Sequence, residues 1–281
     1  MNLPSDLHPF AELVARRIPT EDAATRRFVL TEGWLQGRTS FGGVISALGV
    51  QAMRDVAGSG WDSSVSLRAL QTSFVAPVGA GPVDVRVQVL REGKNVRQVQ
   101  AHVLQEGQVA AVLLAVFAAD RASVLPTHLP QRPAPTHAPE DVLPRKLRPG
   151  MGPRFLEQFD VRWDSGPIPY SGQAGYATRV HMRLAHPGDR GSVPTELQAV
   201  LLADVSPTPA AGHYTQPTPA SSVSWSLELR PLSSVPEEDG WWRADNESIA
   251  VAGGYVNHVA RLWAPSGELA AVGAQVVALF G

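Results

Sequence analysis

Valines 83, 85, 87 and 89 alternate with Asp84, Arg86 and Gln88, the period of a strand with one buried face. After the turn Arg91-Glu92-Gly93-Lys94-Asn95, Val99, Ala101 and Val103 alternate with Gln98, Gln100 and His102. Glu106-Gly107 then turns the chain into Val109 to Ala118, a nearly continuous apolar run that predicts a strand covered on both faces. Upstream, Leu67 to Val75 predicts another strand. Before it, Ile45, Leu48, Ala52 and Val56 recur at helical spacing, which predicts a helix to about Val56 with Ser40 as its cap.

The same plan returns later. Val161 to Trp163 and Gly175 to Leu184 predict strands. Pro194 suits a helix start, and Leu197, Val200, Leu201 and Asp204 share one stripe until Pro207 and Pro209 end it. Val223, Trp225, Leu227 and Leu229 then alternate with serines 222, 224 and 226 and Glu228. Ile249 to Trp263 is a further strand region, and Ser266-Gly267 turns into Leu269 to Phe280, a second apolar run. A helix followed by antiparallel strands, twice, predicts an α+β fold made of two copies of one unit. A sheet curled round one long helix is the hotdog unit, and two in tandem form a pseudo-dimer. Prolines 126, 130, 133, 135, 139, 144 and 149 make a stiff segment between the copies. The expected division is 1–122 for the first hotdog domain, 123–150 for the linker and 151–281 for the second.

Composition narrows the function. With 281 residues, 44% hydrophobic, 18% charged and a net charge of -2, the chain has no bulk attraction for nucleic acid or anionic lipid. It has no cysteine, which excludes disulfides and thiolate nucleophiles. The start lacks a signal-peptide pattern and no apolar run reaches membrane-spanning length, so a cytoplasmic protein is the expectation. No Gly-x-Ser-x-Gly elbow, phosphate-binding glycine pattern or zinc spacing among the 8 histidines is present. Hydrolysis by this chain would therefore use activated water.

Physics singles out a few residues. Asp204 is a carboxylate on an apolar stripe at a helix C-terminus, where the dipole disfavours it. Partial burial would raise its pKa and suit it to general-base work; the alternative is a boundary aspartate tied to a turn. Gln275 is the one polar side chain between Leu269 and Phe280, and a buried amide without partners costs about 1–3 kcal/mol. Ser222 falls, by strict alternation, on the face opposite Val223 and Trp225. Gly42 and Gly43 open the first helix, where unpaired N–H groups favour developing negative charge.

The chain resembles the type II acyl-CoA thioesterases, a double-hotdog family, over nearly its whole length. The resemblance rests on Trp34 with Gln36-Gly37-Arg38-x-x-Phe41-Gly42-Gly43, on Gln71-Thr72-Ser73-Phe74-Val75-Ala76-Pro77, on Arg91-x-Gly93 and Gln105-x-Gly107, on Ala203-Asp204, and on Gly267-x-Leu269-Ala270 running to Gln275. It implies a catalytic trio at Asp204, Ser222 and Gln275, with Ser222 standing where threonine is usual and keeping the hydroxyl. It also implies an acyl-CoA substrate in an apolar groove between sheet and helix, no cofactor and no metal. Gly42 or Gly43, more so Gly43, would supply an oxyanion donor. Whether two chains associate as a homodimer stays open. So do two other functions on this fold: an acyl-CoA hydratase or dehydratase, for which His213 is the candidate imidazole, and a non-catalytic acyl-CoA binder.

Overall fold

The computed structural model describes residues 8–144 and 152–280. The opening residues and the last part of the proline-rich segment lie outside that range. A short helix α1 (Phe10–Ala15) precedes β1 (Ile18–Pro19) and β2 (Thr25–Leu30), which alternation did not reveal. A small hairpin follows, β3 (Leu35–Gln36) and β4 (Thr39–Ser40), then α2 (Gly42–Val56) and the strands β5 (Ser66–Phe74), β6 (Gly81–Glu92), β7 (Val96–Gln105) and β8 (Gln108–Ala118). The second half holds β9 (Phe159–Ser165), β10 (Ala177–Leu184), α3 (Pro187–Ser192), α4 (Thr195–Ala203), β11 (Ala220–Leu229), β12 (Trp242–Ala252), β13 (Tyr255–Trp263) and β14 (Leu269–Leu279).

One 12-stranded antiparallel sheet carries both halves, in the order β1-β2-β6-β7-β8-β5-β11-β14-β13-β12-β10-β9. The order is symmetric about the β5–β11 seam, where Thr72 pairs with Trp225 and Leu70 with Leu227. This is the tandem double hotdog. The duplication reaches single residues. β5 slips register against β8 between Leu67 and Ala69; β11 slips against β14 between Ser222 and Ser224. β6 slips against β7 at Val89/Arg91, and β12 against β13 at Ser248/Ala250. Matching these bulges equates Ser222 with Leu67, Gln275 with Ala115, His258 with Val99 and Ser248 with Val89.

Both helices pack on one face of the sheet, antiparallel to each other. Each therefore sets its start against the other's end. Gly43 makes this possible at one end: a methyl built there would fall 3.1 Å from the Leu201 carbonyl and 2.5 Å from the Phe41 ring. At the other end Arg54 forks onto Glu196 with both bonds at 2.6 Å, and Glu196 also accepts the Leu67 N–H at 3.2 Å. One apolar core joins the halves; Phe41 stacks on Phe155 with centroids 4.2 Å apart. Burying such rings stabilises by about 1.5–3 kcal/mol each, so the halves share one cooperative unit.

One local expectation is corrected. Ser40 does not cap α2; it ends β4, and Phe41 is the capping residue without a side-chain bond. The second helix agrees with its expected span: its 9 residues run between Pro194 and Asp204 as caps. The proline-rich segment forms no helix or strand over 123–144 and lies against the second-half strands. There Asp164 accepts the Thr136 and His137 amides at 3.0 and 2.6 Å, and Arg162 donates to the Val142 carbonyl at 2.8 Å.

Candidate active site

Asp204 is the C-terminal cap of α4. Its own helix presents its negative end there, but the neighbouring α2 begins beside it. A methyl on Gly42 would lie 2.8 Å from Asp204 Oδ2, so glycine is required for this approach. Oδ1 of the same carboxylate accepts a hydrogen bond from Gln275 Nε2. Burial pushes the Asp204 carboxyl up to about 7; the Gln275 bond and the Gly43 amide act against it without cancelling it. The result is a carboxyl half ionised near neutrality and held at the positive end of a helix.

The sheet delivers Gln275 from β14, directly opposite Trp225 on β11 and His258 on β13. Opposed residues share a face, so Gln275, Trp225 and His258 all point toward the helices. Ser222 joins them, contrary to the strict alternation. The β-bulge at Val223 shifts the phase by one, so Ser222 pairs with Val277 while Trp225 pairs with Gln275. Ser222 thus lies on the Gln275 face and Ser224 on the other. Among the described residues no hydrogen bond joins the Ser222 hydroxyl to Asp204 or Gln275.

The structure therefore brings Asp204, Gln275, Gly42 and Gly43 together and sets Ser222 one pair along the same face. It separates His213 from them: His213 Nε2 meets the Gly175 amide at 3.3 Å, and the ring stacks on Tyr176. The imidazole that does stand in the row is His258, buried at 4% exposure. Sequence reasoning passed over it, although its phase with Val256, Ala260 and Leu262 signals a histidine on an apolar face.

A cavity of about 520 Å³ opens on the opposite face of the sheet, across the β5–β11 seam, lined by Gln71, Ser73, Leu114, Ser224, Ser226 and Val276. It is not the expected groove between sheet and helix. The space beneath α2 is instead packed by Val44, Leu48, Leu113 and their neighbours, and Leu113 presses against Gly49. Among the described residues no cluster suited to a metal ion occurs, and no helix is long and apolar enough to cross a membrane.

Residues 30–118 match the acyl-CoA thioesterase N-terminal domain, and residues 126–279 match the acyl-CoA thioesterase C-terminal domain. The chain belongs to the acyl-CoA thioesterase family. That membership makes it a hydrolase-type hotdog enzyme. Solved structures share the fold across the full length. A hot dog fold protein of unknown function from Alicyclobacillus acidocaldarius has 19% identity and a TM-score of 0.77, covering 98% of each chain. The acyl-CoA thioesterase II TesB2 from Mycobacterium marinum has 17% identity and a TM-score of 0.71, covering 96% of this chain and 98% of that one. The dehydratase domain of RzxB from Pseudomonas fluorescens has 9% identity and a TM-score of 0.55, covering 99% and 100%. The architecture alone thus does not choose a reaction. A comparison with curated proteins gives no match.

Proposed function

We propose that this thioesterase-family protein hydrolyses acyl-CoA thioesters to a free acid and CoA by an Asp204-activated water. The observation that carries the reading is the partly buried Asp204 carboxyl, bonded to Gln275 and set at the start of α2. A carboxyl raised to about 7 is a competent base near neutral pH and a better proton acceptor than an exposed aspartate. Asp204 takes a proton from water as the water oxygen attacks the thioester carbon. The carbonyl electrons move to oxygen, giving a tetrahedral oxyanion. N–H groups at the start of α2 stabilise that charge; because the Gly43 amide already serves Asp204, the Gly42 amide is the donor we assign to the oxyanion. Collapse breaks the carbon–sulfur bond, and the proton held by Asp204 goes to the departing thiolate. Gln275 orients the base and the water, and the Ser222 hydroxyl adds one contact from the same face.

The test is thiol release measured with DTNB over a panel of acyl-CoAs, with Asp204→Asn as control. The chain has 0 cysteines, so the protein contributes no background. Turnover in the parent and none in the folded variant supports the mechanism; equal turnover in both removes it. Crotonyl-CoA hydration without thiol release would mean a hydratase. Thermal stabilisation by acyl-CoA without either reaction would mean a binder.

A further inference from the structure

The two halves act as an internal control for one another. In the second half the helix-facing row runs Ser248, His258, Gln275, Trp225 across β12, β13, β14 and β11. The equivalent row of the first half runs Val89, Val99, Ala115, Leu70 across β6, β7, β8 and β5. The polar side chains Ser248, His258 and Gln275 thus stand where the sister half has Val89, Val99 and Ala115. At these three matched positions the polar member lies in the half that carries Asp204; across the seam the same row continues to Thr72, whose hydroxyl is bonded to Ser46 at 3.1 Å.

Packing does not explain His258, because Val99 fills the same place in the same kind of sheet. A buried imidazole is the costlier choice. Its Nδ1 is enclosed and has no hydrogen-bond partner among the described residues, a loss of about 1–3 kcal/mol. Burial holds the ring well below its ordinary range, at about 4, so it is neutral at working pH and offers one N–H donor and one acceptor. The residue facing it is Gln275, whose NH2 group is committed to Asp204. What remains on Gln275 is the amide oxygen, an acceptor. On the other side Ser248 is already engaged, bonding the Thr208 hydroxyl at 2.9 Å and accepting the Ala210 amide at 3.1 Å.

Resting on the hydrolase reading above, we propose that His258 is a positioning residue of the active site. Its imidazole N–H fixes the Gln275 carboxamide, directly or through one solvent molecule, so that the NH2 group faces Asp204 and not the reverse. Hydrogen bonds of this kind are often long before substrate tightens them. A flipped carboxamide would set its oxygen against the Asp204 carboxylate and remove the one side-chain donor among the described residues that lowers the Asp204 carboxyl. The groups acting on that carboxyl are burial, Gln275 from β14 and the Gly43 amide from α2; no charged side chain is among them. A change at His258 therefore reaches Asp204 through Gln275.

The experiment substitutes His258→Val, the residue of the sister half, and His258→Asn, which restores an N–H donor. The Asp204 carboxyl is titrated by carbon-13 NMR in each folded full-length protein, and thiol release is followed across pH. In the Val variant the Asp204 midpoint moves upward from about 7 and kcat falls about 10²-fold with KM within about threefold. In the Asn variant both return most of the way. An unchanged Asp204 midpoint in the Val variant, or an Asn variant that behaves like Val, overturns the role of His258. A parent protein that releases no thiol, while its Asp204 midpoint still answers to His258, overturns the hydrolase reading and leaves the positioning role standing.

Discussion

Replacing Asp204 by Asn is expected to stabilise the fold at alkaline pH while abolishing turnover. The carboxyl rises from 3.8 to about 7 on folding, with burial as the largest cause. Between those two values the folded chain binds more protons than the unfolded one, so stability falls as pH rises through the window. The penalty is absent below the unfolded value and complete above the folded one. About three units at about 1.4 kcal/mol each set a ceiling of about 4 kcal/mol. Asparagine escapes this cost but turns an NH2 toward the Gly43 amide, losing a charge-assisted bond of about 1–2 kcal/mol. The net gain at pH 8.5 is about 2–3 kcal/mol, a rise in Tm of about 4–6 °C for a chain of this size. At pH 4 the gain disappears. Urea unfolding of both proteins at the two pH values checks this. A difference that does not change with pH, or an Asn variant less stable at pH 8.5, would refute the claim that Asp204 is held desolvated.

Other outcomes follow from the same geometry. Thioester cleavage should rise with pH through about 7 as Asp204 ionises; a pH–rate profile flat from 5 to 9 contradicts a base with that midpoint. Gln275→Ala removes an interaction that lowers Asp204, so the acid limb of kcat/KM should move upward and kcat fall about 10²-fold. Gly42→Ala sets a methyl 2.8 Å from Asp204 Oδ2 and 3.0 Å from the Phe74 ring, so activity should be lost with a stability cost of about 1–3 kcal/mol, read by kinetics and urea unfolding. Arg54→Leu strands the Glu196 carboxylate and should destabilise by about 2 kcal/mol, while a further Glu196→Leu should recover much of it; additive losses in that double-mutant cycle would mean the pair does not act as a unit.

The repeated strand pattern was legible because the long strands alternate cleanly and their glycine turns sit at matching places. β1 and β2 were not: Ile18–Pro19 is too short for a period, and Thr25–Leu30 carries two successive arginines that break it. Gln275 and Asp204 were legible as lone polar groups in apolar settings. Ser222 was misplaced by one face because a β-bulge leaves no mark in a run of small residues, and only the pairing of Trp225 with Gln275 shows the phase. His258 carried a visible signal, yet a single histidine in an apolar phase is silent until the sheet sets it opposite Gln275. The packing beneath α2 was not legible for a different reason. Side-chain volumes beneath α2 fill that space, and volume is a property of packing that periodicity does not carry.

The chemistry proposed above sits at one end of the helix pair, and the two ends differ in charge. At both ends a helix terminus meets the opposite terminus of its neighbour, so the backbone dipoles already complement each other. The first-half end adds charges that agree with that field: Arg54 lies in the last turn of α2, Glu196 in the first turn of α4, and they neutralise each other in a fork. That arrangement is satisfied and has nothing left to bind. The rings of Trp61 and Phe117 flank Arg54, and the Leu67 amide bonds Glu196. The Asp204 end places one carboxylate against glycine amides, with no cation opposite it among the described residues. A lone enclosed carboxylate is a destabilising choice that only partial donors relieve, and those donors, an amide side chain and a backbone N–H, can move their bonds to a reacting oxygen without losing a full charge partner. The unneutralised end is therefore the one able to accept a proton, and the neutralised end is the one that holds the halves together.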